Sequence, residues 1–308
     1  MIEEHVLILG GCGFIGKNLT KKFIEEGYSV HVMDRVRPEL IYSKNIFYCD
    51  ITLGDTSGLV FYISKYNITK VIHLISSLMP SSNEHDFHNE LDKVIYPTFS
   101  LIDQIRKMPN VEFIFFSSGG TVYGVSESRV LSESMHCRPI TYYGLSKLFI
   151  ENYIQTTSFL TDFKYLILRP SNPYGRFQNI HGTQGFIAVS LGKILNNETI
   201  QIWGDGSIIR DYIYIDDLCE LVIDLISIGV SNRVINLGSG VGYSLTEVVS
   251  VLTDVCSNNV VSVEYKGSRS VDIKSNVLDI TLLRSFIDYR ATTLTKGISC
   301  FYNDMMCN

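Results

Sequence analysis

HVLILGGCGFIG, at residues 5–16, is the stretch that decides the fold of this 308-residue chain. Residues 5–9 predict a short buried strand, and residues 17–26 have helical periodicity that ends at Gly27. Between them, glycines at 10, 13 and 16 allow a tight turn and a close approach to the backbone. The following helix presents unpaired N–H groups and a positive dipole end, which favour an anion such as a pyrophosphate.

A second predicted strand, residues 29–33, ends at Asp34. A carboxylate about 20 residues after a glycine turn suits the ribose hydroxyls of NAD and repels the 2′-phosphate of NADP. Arg35 is a residue type that accommodates that phosphate, so the preference for NAD rests on Asp34. Strand, turn, helix, strand and acid in this order indicate a dinucleotide site. We therefore predict NAD as the cofactor.

Strands and helices alternate through the first half of the chain. The predicted strands are 5–9, 29–33, 46–48, 70–75, 111–117 and 164–169, and the predicted helices are 14–26, 55–66, 87–107 and 142–158. This alternation indicates an α/β fold, a doubly wound parallel sheet of the Rossmann type. Ligands of such sheets bind beyond the carboxyl ends of the strands, where Asp34, Asp50 and Ser76 stand.

After Pro173 the pattern loosens into short segments, which predicts a smaller C-terminal substrate-binding lobe. We expect residues 1–171 and about 212–238 to form the dinucleotide-binding domain. Residues of about 172–211 and 239–308 would form the lobe.

The composition excludes several classes of protein. A hydrophobic content of 45% indicates an ordered globular chain, and a net charge of −6 without a basic stripe argues against nucleic acid. The seven cysteines have no metal or disulfide spacing, which favours a reducing compartment and no metal site. The apolar run 221–230 is too short to span a membrane, and Glu3 and Glu4 are untypical of a signal peptide. We expect a cytoplasmic protein that binds neither membrane nor nucleic acid.

Two further segments carry candidate chemistry, SSGGTVYG at 117–124 and YYGLSK at 142–147. Tyr143 and Lys147 share one helix face. An ammonium beside a phenol favours the phenolate, so Tyr143 could accept a proton near neutral pH despite a reference pKa of about 10. A hydroxyl at Ser118 or Thr121 could hold a substrate alcohol against it.

With these residues assembled, the chain resembles the extended short-chain dehydrogenase/reductase family, and within it the NAD-dependent nucleotide-sugar epimerases. UDP-glucose and UDP-N-acetylglucosamine 4-epimerases look most similar. The matching motifs fall in the family order: 10–16, Asp50-Ile51, 117–124, 143–147, 169–175, 203–217 and 236–238.

The resemblance implies that tightly held NAD⁺ oxidises the sugar at C4, and that hydride returns to the other face of a transient 4-keto sugar. Tyr143 would accept the hydroxyl proton. Lys147 together with the cationic nicotinamide would lower the pKa of Tyr143, and Lys147 would also hold the nicotinamide ribose. The expected cofactor-binding residues are Gly10, Gly13, Phe14, Ile15, Gly16, Asp34, Arg35, Asp50, Ile51, Leu74, Ser76, Tyr143 and Lys147.

One departure from the family is Gly119, where many relatives carry a catalytic Ser or Thr. Ser118 or Thr121 must then supply the hydroxyl, or it is dispensable. Thr121 is slightly favoured, because it precedes Val-Tyr-Gly and should lie near the sugar. Family 4,6-dehydratases carry an acidic pair at the positions of Gly120 and Thr121, so a dehydratase is not expected.

The resemblance also implies a set of substrate-binding residues. Asn172 would bind the diphosphate sugar, Arg210 and Arg269 would clamp the diphosphate, and Gln201 and Trp203 would form an edge strand beside the base. Asn276, four residues past Asp272, would line the sugar 2-position and admit an N-acetyl group. The full expected set is Thr121, Asn172, Gln201, Trp203, Arg210, Arg269, Asp272 and Asn276.

Two alternatives to a UDP-sugar 4-epimerase stay open. One is another enzyme on the same scaffold, such as an NAD(P)H-dependent reductase of a nucleotide-linked 4-keto-6-deoxy sugar, a decarboxylase or an epimerase with a different nucleotide. The other is a non-catalytic dinucleotide-binding protein. Relatives form homodimers through two amphipathic helices, so a homodimer is expected. Its stripe would be Leu91, Ile95, Phe99 and Ile102, although a face buried within the chain would read identically.

Overall fold

The computed structural model describes residues 4–36, 45–126, 128, 130–257, 259–267 and 273–306. The chain forms two compact units, each assembled from three segments. Unit 1 comprises Met1–Gly124, His136–Arg169 and Val222–Ile235, and unit 2 comprises Val125–Met135, Pro170–Leu221 and Asn236–Asn308.

The strands are β1 (His5–Leu9), β2 (Ser29–Met33), β3 (Ile46–Tyr48), β4 (Lys70–His73), β5 (Glu112–Phe116), β6 (Tyr165–Pro170), β7 (Asn172–Tyr174), β8 (Ile200–Trp203), β9 (Ile209–Tyr214), β10 (Arg233–Leu237), β11 (Gly242–Ser244), β12 (Val263–Lys266) and β13 (Ser275–Asn276). The helices are α1 (Phe14–Glu25), α2 (Thr56–Lys65), α3 (Glu84–Glu90), α4 (Tyr96–Ile105), α5 (Tyr142–Thr161), α6 (Phe186–Leu195), α7 (Ile215–Ser227), α8 (Leu245–Val255), α9 (Thr281–Phe286) and α10 (Leu294–Met306). A π-helical turn, Leu91–Ile95, joins α3 to α4 and is called the π turn below.

A seven-stranded sheet in the order β10-β6-β5-β4-β1-β2-β3 organises the first unit. Strands β2, β5 and β6 are buried along their whole length, because helices cover both faces of a parallel sheet. The predicted Rossmann-type fold is therefore confirmed.

The register of this sheet sets the position of the candidate site. Leu9 at the end of β1 pairs with Met33 at the end of β2 and with His73 at the end of β4. The residues that follow these three strands therefore share one edge of the sheet.

The helix predicted for residues 87–107 is present but runs from residue 84 to residue 105, and the π turn interrupts its α-helical pattern. A capping box between Asn83 and Asp86 starts α3 earlier, and the Tyr96 N–H bonds back five residues to the Leu91 carbonyl. Pro97 stands in the first turn of α4 and has no N–H. Its ring also conflicts with the carbonyl four residues earlier, which accounts for the wider π turn just before it.

Unit 2 contains a four-stranded sheet, in which β9 pairs with β7, β11 and β13, and a separate parallel pair of β8 and β12. The carboxylate of Asp211 on β9 is buried and connects this strand to two other segments of the unit. It accepts hydrogen bonds from the Ser239 N–H and hydroxyl, both at 2.8 Å, and from the N–H groups of Gly240 and Leu278, both at 3.2 Å.

Three further findings concern the described residues alone. Their six cysteines are free thiols. None of their helices has the length and apolar character needed to cross a membrane. None of their clusters of His, Cys, Asp and Glu could hold a metal ion.

Candidate active site

The glycine turn after β1 is a cradle that side chains would fill. Gly10 has φ +87°, and its N–H donates to the Met33 carbonyl at 2.8 Å. A Cβ on Gly16 would lie 2.4 Å from the Gly10 carbonyl oxygen and 2.6 Å from the Gly11 Cα. Helix α1 begins at Phe14 with no acidic side chain in its first turn. The turn therefore fits a diphosphate, which would contact backbone N–H groups and the positive end of the helix dipole.

Asp34, just after β2, is fixed against this turn. One carboxylate oxygen accepts the Cys12 N–H at 2.9 Å, and the other accepts the Val36 N–H at 3.2 Å. A carboxylate has about four acceptor positions, so capacity remains for ribose hydroxyls. Arg35 is exposed, and the residues present fit the predicted NAD.

The other predicted cofactor contacts follow β3 and β4. A Cβ on Gly10 would lie 3.4 Å from the Cβ of Leu74, so these two predicted contacts are neighbours. Asp50 is exposed just after β3, while Ile51 packs against the core. Ser76 donates its hydroxyl hydrogen to Glu90 at 2.9 Å.

Tyr143, Lys147 and Ser118 come together at the start of α5. The Thr141 hydroxyl caps this helix by accepting the Gly144 N–H at 3.1 Å. The Ser118 side chain is hydrogen-bonded to Tyr143, which is half-buried. The Lys147 ammonium donates to the Phe116 carbonyl at 3.0 Å and lies 5.7 Å from the centre of the Tyr143 ring.

Thr121 lies at the same helix start through its backbone. A Cβ on Gly144 would be 2.8 Å from the Thr121 carbonyl oxygen. The glycine at 144 therefore allows the backbone of Thr121 to pack directly against the first turn of α5. The Thr121 hydroxyl is buried without a hydrogen-bond partner among the described residues. Ser118, rather than Thr121, thus has its hydroxyl against Tyr143.

The protonation state expected for Tyr143 needs correction. Burial raises the pKa of Tyr143 to about 12, with the Ser118 hydrogen bond acting downward and the Glu90 charge acting upward. Burial also lowers the pKa of Lys147 to about 8, against the upward effect of Glu90 and Glu151. Burial is the largest of these effects, so the protein's own groups favour the neutral phenol of Tyr143.

Two buried ionised groups near this centre were not predicted as site residues. Glu151, two turns after Tyr143 on the same face of α5, forms a buried ion pair with Arg169 (Nε to Oε1, 3.0 Å). Arg169 also donates to the Tyr123 hydroxyl at 3.0 Å. The spacing of four residues from Tyr143 to Lys147 to Glu151 is the sequence signal that could have identified Glu151.

Unit 2 contains a cavity of about 250 Å³. Four predicted substrate residues meet there, namely Asn172, Gln201, Trp203 and Arg210. The remaining lining residues are Pro173, Tyr174, Gly185, Phe186, Ile187, Ile208, Tyr212 and Leu245. Trp203 is 40% exposed, so part of its indole is accessible to a ligand.

The polar groups of this cavity are held by backbone contacts. The Asn172 amide donates to the Asp211 carbonyl at 2.7 Å, and the Arg210 guanidinium donates to the carbonyls of Ile209 and Ile273 at 2.9 and 2.7 Å. Helix α6 begins at the cavity with Phe186, so its positive end adds to the charge of Arg210. This side of the cavity suits an anion.

Sequence reasoning missed Tyr212 and Phe186 in this cavity. Tyr212 stands two residues after Arg210 on β9, so the strand alternation could have identified it. Phe186 gave no comparable signal in the sequence.

Four predicted substrate residues are not placed in this cavity. One of them, Thr121, belongs to unit 1 and was described with Tyr143 above. Arg269 and Asp272 lie outside the described residues. Asn276 pairs with Arg210 across β13 and β9 but is 1% exposed and is not among the lining residues. Its role beside the sugar 2-position stays a prediction.

The stripe expected for a dimer is largely buried inside unit 1. Ile95 and Ile102 are fully buried, and Phe99 stacks on Tyr153 with 3.8 Å between ring centres. Packing within the chain therefore explains this stripe, and the homodimer stays a prediction.

Comparison with known proteins places this geometry in a family context. Residues 6–238 match the model of the NAD dependent epimerase/dehydratase family. The chain is 30% identical to an Escherichia coli dTDP-4-dehydro-6-deoxyglucose reductase, over 99% of this chain and 98% of that protein. It is 26% identical to the Mycolicibacterium smegmatis UDP-glucose 4-epimerase, over 96% of each.

The crystal structure of the Thermotoga maritima UDP-glucose 4-epimerase with UDP-glucose is similar throughout. Its TM-score is 0.89 at 26% identity, with 98% of this chain and 99% of that chain covered.

Proposed function

The chain belongs to the NAD-dependent epimerase/dehydratase family, and from this membership we propose that it is an NAD-dependent 4-epimerase of a UDP-hexose. The candidate substrates are the pairs UDP-GlcNAc/UDP-GalNAc and UDP-Glc/UDP-Gal. The observation that carries the proposal is the group formed by Tyr143, Lys147 and Ser118 at the start of α5.

Each unit would contribute a part of the binding function. In unit 1, the glycine turn would hold the NAD diphosphate and Asp34 the ribose hydroxyls. In unit 2, Arg210 and the start of α6 would bind the diphosphate of the sugar nucleotide, and Trp203 would stack on its base.

The chain's own residues would control the proton. Bound NAD would supply the acceptor and donor of hydride at the sugar C4. Ser118 would hold the 4-oxygen beside the Tyr143 oxygen, which would accept the proton as a phenolate and return it as a phenol. Lys147, anchored on the Phe116 carbonyl, would place its positive charge where a phenolate has to form.

The test of this proposal is incubation of the purified protein with UDP-GlcNAc and with UDP-Glc, without added NAD(P)H, followed by NMR of the products. We expect UDP-GalNAc or UDP-Gal to appear. We expect Tyr143→Phe to reduce the rate by at least about a hundredfold. Tyr142→Phe is the matched control, because Tyr142 stacks on Phe87 with 5.4 Å between ring centres and has no assigned role in proton transfer. No epimer from either sugar would contradict the substrate assignment.

A second candidate function is reduction of a nucleotide-linked 4-keto-6-deoxy sugar by NAD(P)H. Two observations favour it, the 30% identical reductase from Escherichia coli and the phenol of Tyr143, whose pKa of about 12 suits donation of a proton to a keto oxygen. Loss of NAD(P)H absorbance with a dTDP-linked 4-keto-6-deoxy sugar, together with no epimerisation, would select this candidate.

A further inference from the structure

Glu90 is a buried acid with no part in the proposed reaction as described above. It is the last residue of α3, immediately before the π turn, and is 1% exposed. One helical turn earlier, Phe87 stacks on Tyr142 of α5. Because residues three apart share a helix face, this stack turns Glu90 toward the start of α5.

Glu90 also fixes the chain after β4. One of its oxygens accepts the Ser76 hydroxyl hydrogen at 2.9 Å. The other accepts the Ser77 N–H at 2.9 Å and the Ser77 hydroxyl hydrogen at 2.5 Å. All three partners donate, so the carboxylate acts purely as an acceptor at the edge of the sheet where Leu74 meets the glycine turn.

Glu90 and Lys147 are hydrogen-bonded to neighbouring strands of the sheet. Glu90 accepts from the residues that follow β4, and Lys147 donates to the last residue of β5, which pairs with β4. Glu151 also acts on Lys147, but it is already paired with Arg169. His73 on β4 is buried and contacts the Thr98 hydroxyl at 2.9 Å, and burial lowers its pKa to about 3, so it stays neutral. Lys147 itself is 3% exposed and has little help from solvent. Glu90 is thus the carboxylate available to balance the Lys147 ammonium among the described residues.

We propose that Glu90 is a positioning residue that acts through Lys147 and Ser76. Its carboxylate supplies the counter-charge that keeps Lys147 cationic beside Tyr143, and it holds the segment after β4 in place. The catalytic consequence rests on the proposed function, whereas the effect on Lys147 does not.

The test reads the protonation of Lys147 directly, without substrate. Protein labelled with ¹³C at lysine Cε is titrated by NMR, and the signal of Lys147 is assigned by its loss in Lys147→Met. The midpoint expected for the unaltered chain is about 8. Glu90→Gln removes the charge at nearly constant shape, so the midpoint should fall by about one pH unit or more. An unchanged midpoint in folded Glu90→Gln protein overturns the proposal.

Two variants separate charge from shape. Glu90→Asp keeps the carboxylate, so the midpoint of the Lys147 titration should stay close to that of the unaltered chain. Ser77→Ala removes one hydrogen bond and leaves the charge, so the midpoint should stay near that of the unaltered chain. A shift in Ser77→Ala as large as that in Glu90→Gln would assign the effect to the loop and overturn the charge role.

If Glu90→Gln does not fold, a double variant tests whether the charges of Glu90 and Lys147 are coupled. Glu90→Leu with Lys147→Met removes both charges, so it should be more stable than Glu90→Leu alone. Equal or lower stability overturns the proposal.

Turnover then tests the catalytic consequence. Once a substrate is found, the alkaline limb of the Glu90→Gln rate profile should move to lower pH with the NMR midpoint. If no substrate is turned over while the midpoint moves as expected, the proposed function fails and the role of Glu90 stands.

Discussion

At the scale of single residues, Ser118 and Thr121 differ in what their hydroxyls contact. The Ser118 hydroxyl meets Tyr143, whereas the Thr121 hydroxyl has no partner among the described residues. We expect Ser118→Ala to lower kcat by about tenfold to a thousandfold, and Thr121→Ala to lower it far less. The measurement is kcat of both variants on one substrate, and a larger loss in Thr121→Ala would restore the preference drawn from the sequence.

Lys147 should set the alkaline limit of activity. Its pKa is lowered to about 8, so the cation is present below that pH and is lost as the pH rises through it. We expect kcat/KM to fall about tenfold per pH unit above this point, since this ratio reports the free enzyme. In Lys147→Arg the limb should be absent, because a guanidinium stays charged at every accessible pH. A limb near pH 8 in Lys147→Arg would show that another group causes it.

At the scale of secondary-structure elements, Asp211 joins β9 to two other segments of unit 2 through its four donors. Asp211→Asn replaces an acceptor oxygen by an NH₂ group that must face an N–H. We expect the free energy of unfolding to drop by about 2–4 kcal/mol, measured by urea denaturation. The control is Asp205→Asn, because Asp205 is exposed and accepts the N–H of Ser207 within its own loop. Its effect on the free energy of unfolding should be far smaller than that of Asp211→Asn, and a similar loss in both variants would contradict the prediction.

The elements that the sequence predicted best are those with local signals. Strands β1, β2 and β3 begin and end where the sequence places them, because apolar runs are bounded by polar or glycine residues. The strands of unit 2 are short, and β13 has two residues, which is too few for a periodic pattern. Strands β7, β11 and β13 are positioned by pairing with β9, and β8 and β12 by pairing with each other, which no local pattern reveals.

The candidate site likewise contains residues that could be predicted from the sequence and residues that could not. The glycine turn, Asp34, Tyr143 and Lys147 could be predicted because their spacing along the chain reflects their chemistry. Glu90 could not, because its role depends on a neighbour on α5 that is distant in sequence. The pKa of Tyr143 could not either, since burial is a property of the folded chain.

At the scale of the whole molecule, neither unit is a continuous piece of chain. Unit 1 needs Val222–Ile235 in addition to its N-terminal segments, and this piece brings most of β10 to the edge of the sheet beside β6. A fragment of residues 1–169 would leave strand β6, which is buried along its whole length, as an open edge.

We expect this fragment to aggregate or to unfold without a cooperative transition, as followed by size-exclusion chromatography and circular dichroism. Joining residues 222–238 to it through a flexible linker should recover a soluble, cooperatively unfolding protein. A monomeric fragment 1–169 with a sharp transition would contradict this expectation.

The π turn has a consequence for how the chain tolerates changes in length. Each residue of an α-helix advances the chain by about 100° around the helix axis. An additional residue within a helix, as in a π turn, therefore rotates the preceding side chains by about that angle relative to the following ones. Deleting one residue between 91 and 95 would therefore swing Phe87 and Glu90 around the helix axis, away from α5. A single-codon deletion in this turn should be far more harmful than one in the loop before α3, although neither removes a residue of the catalytic group.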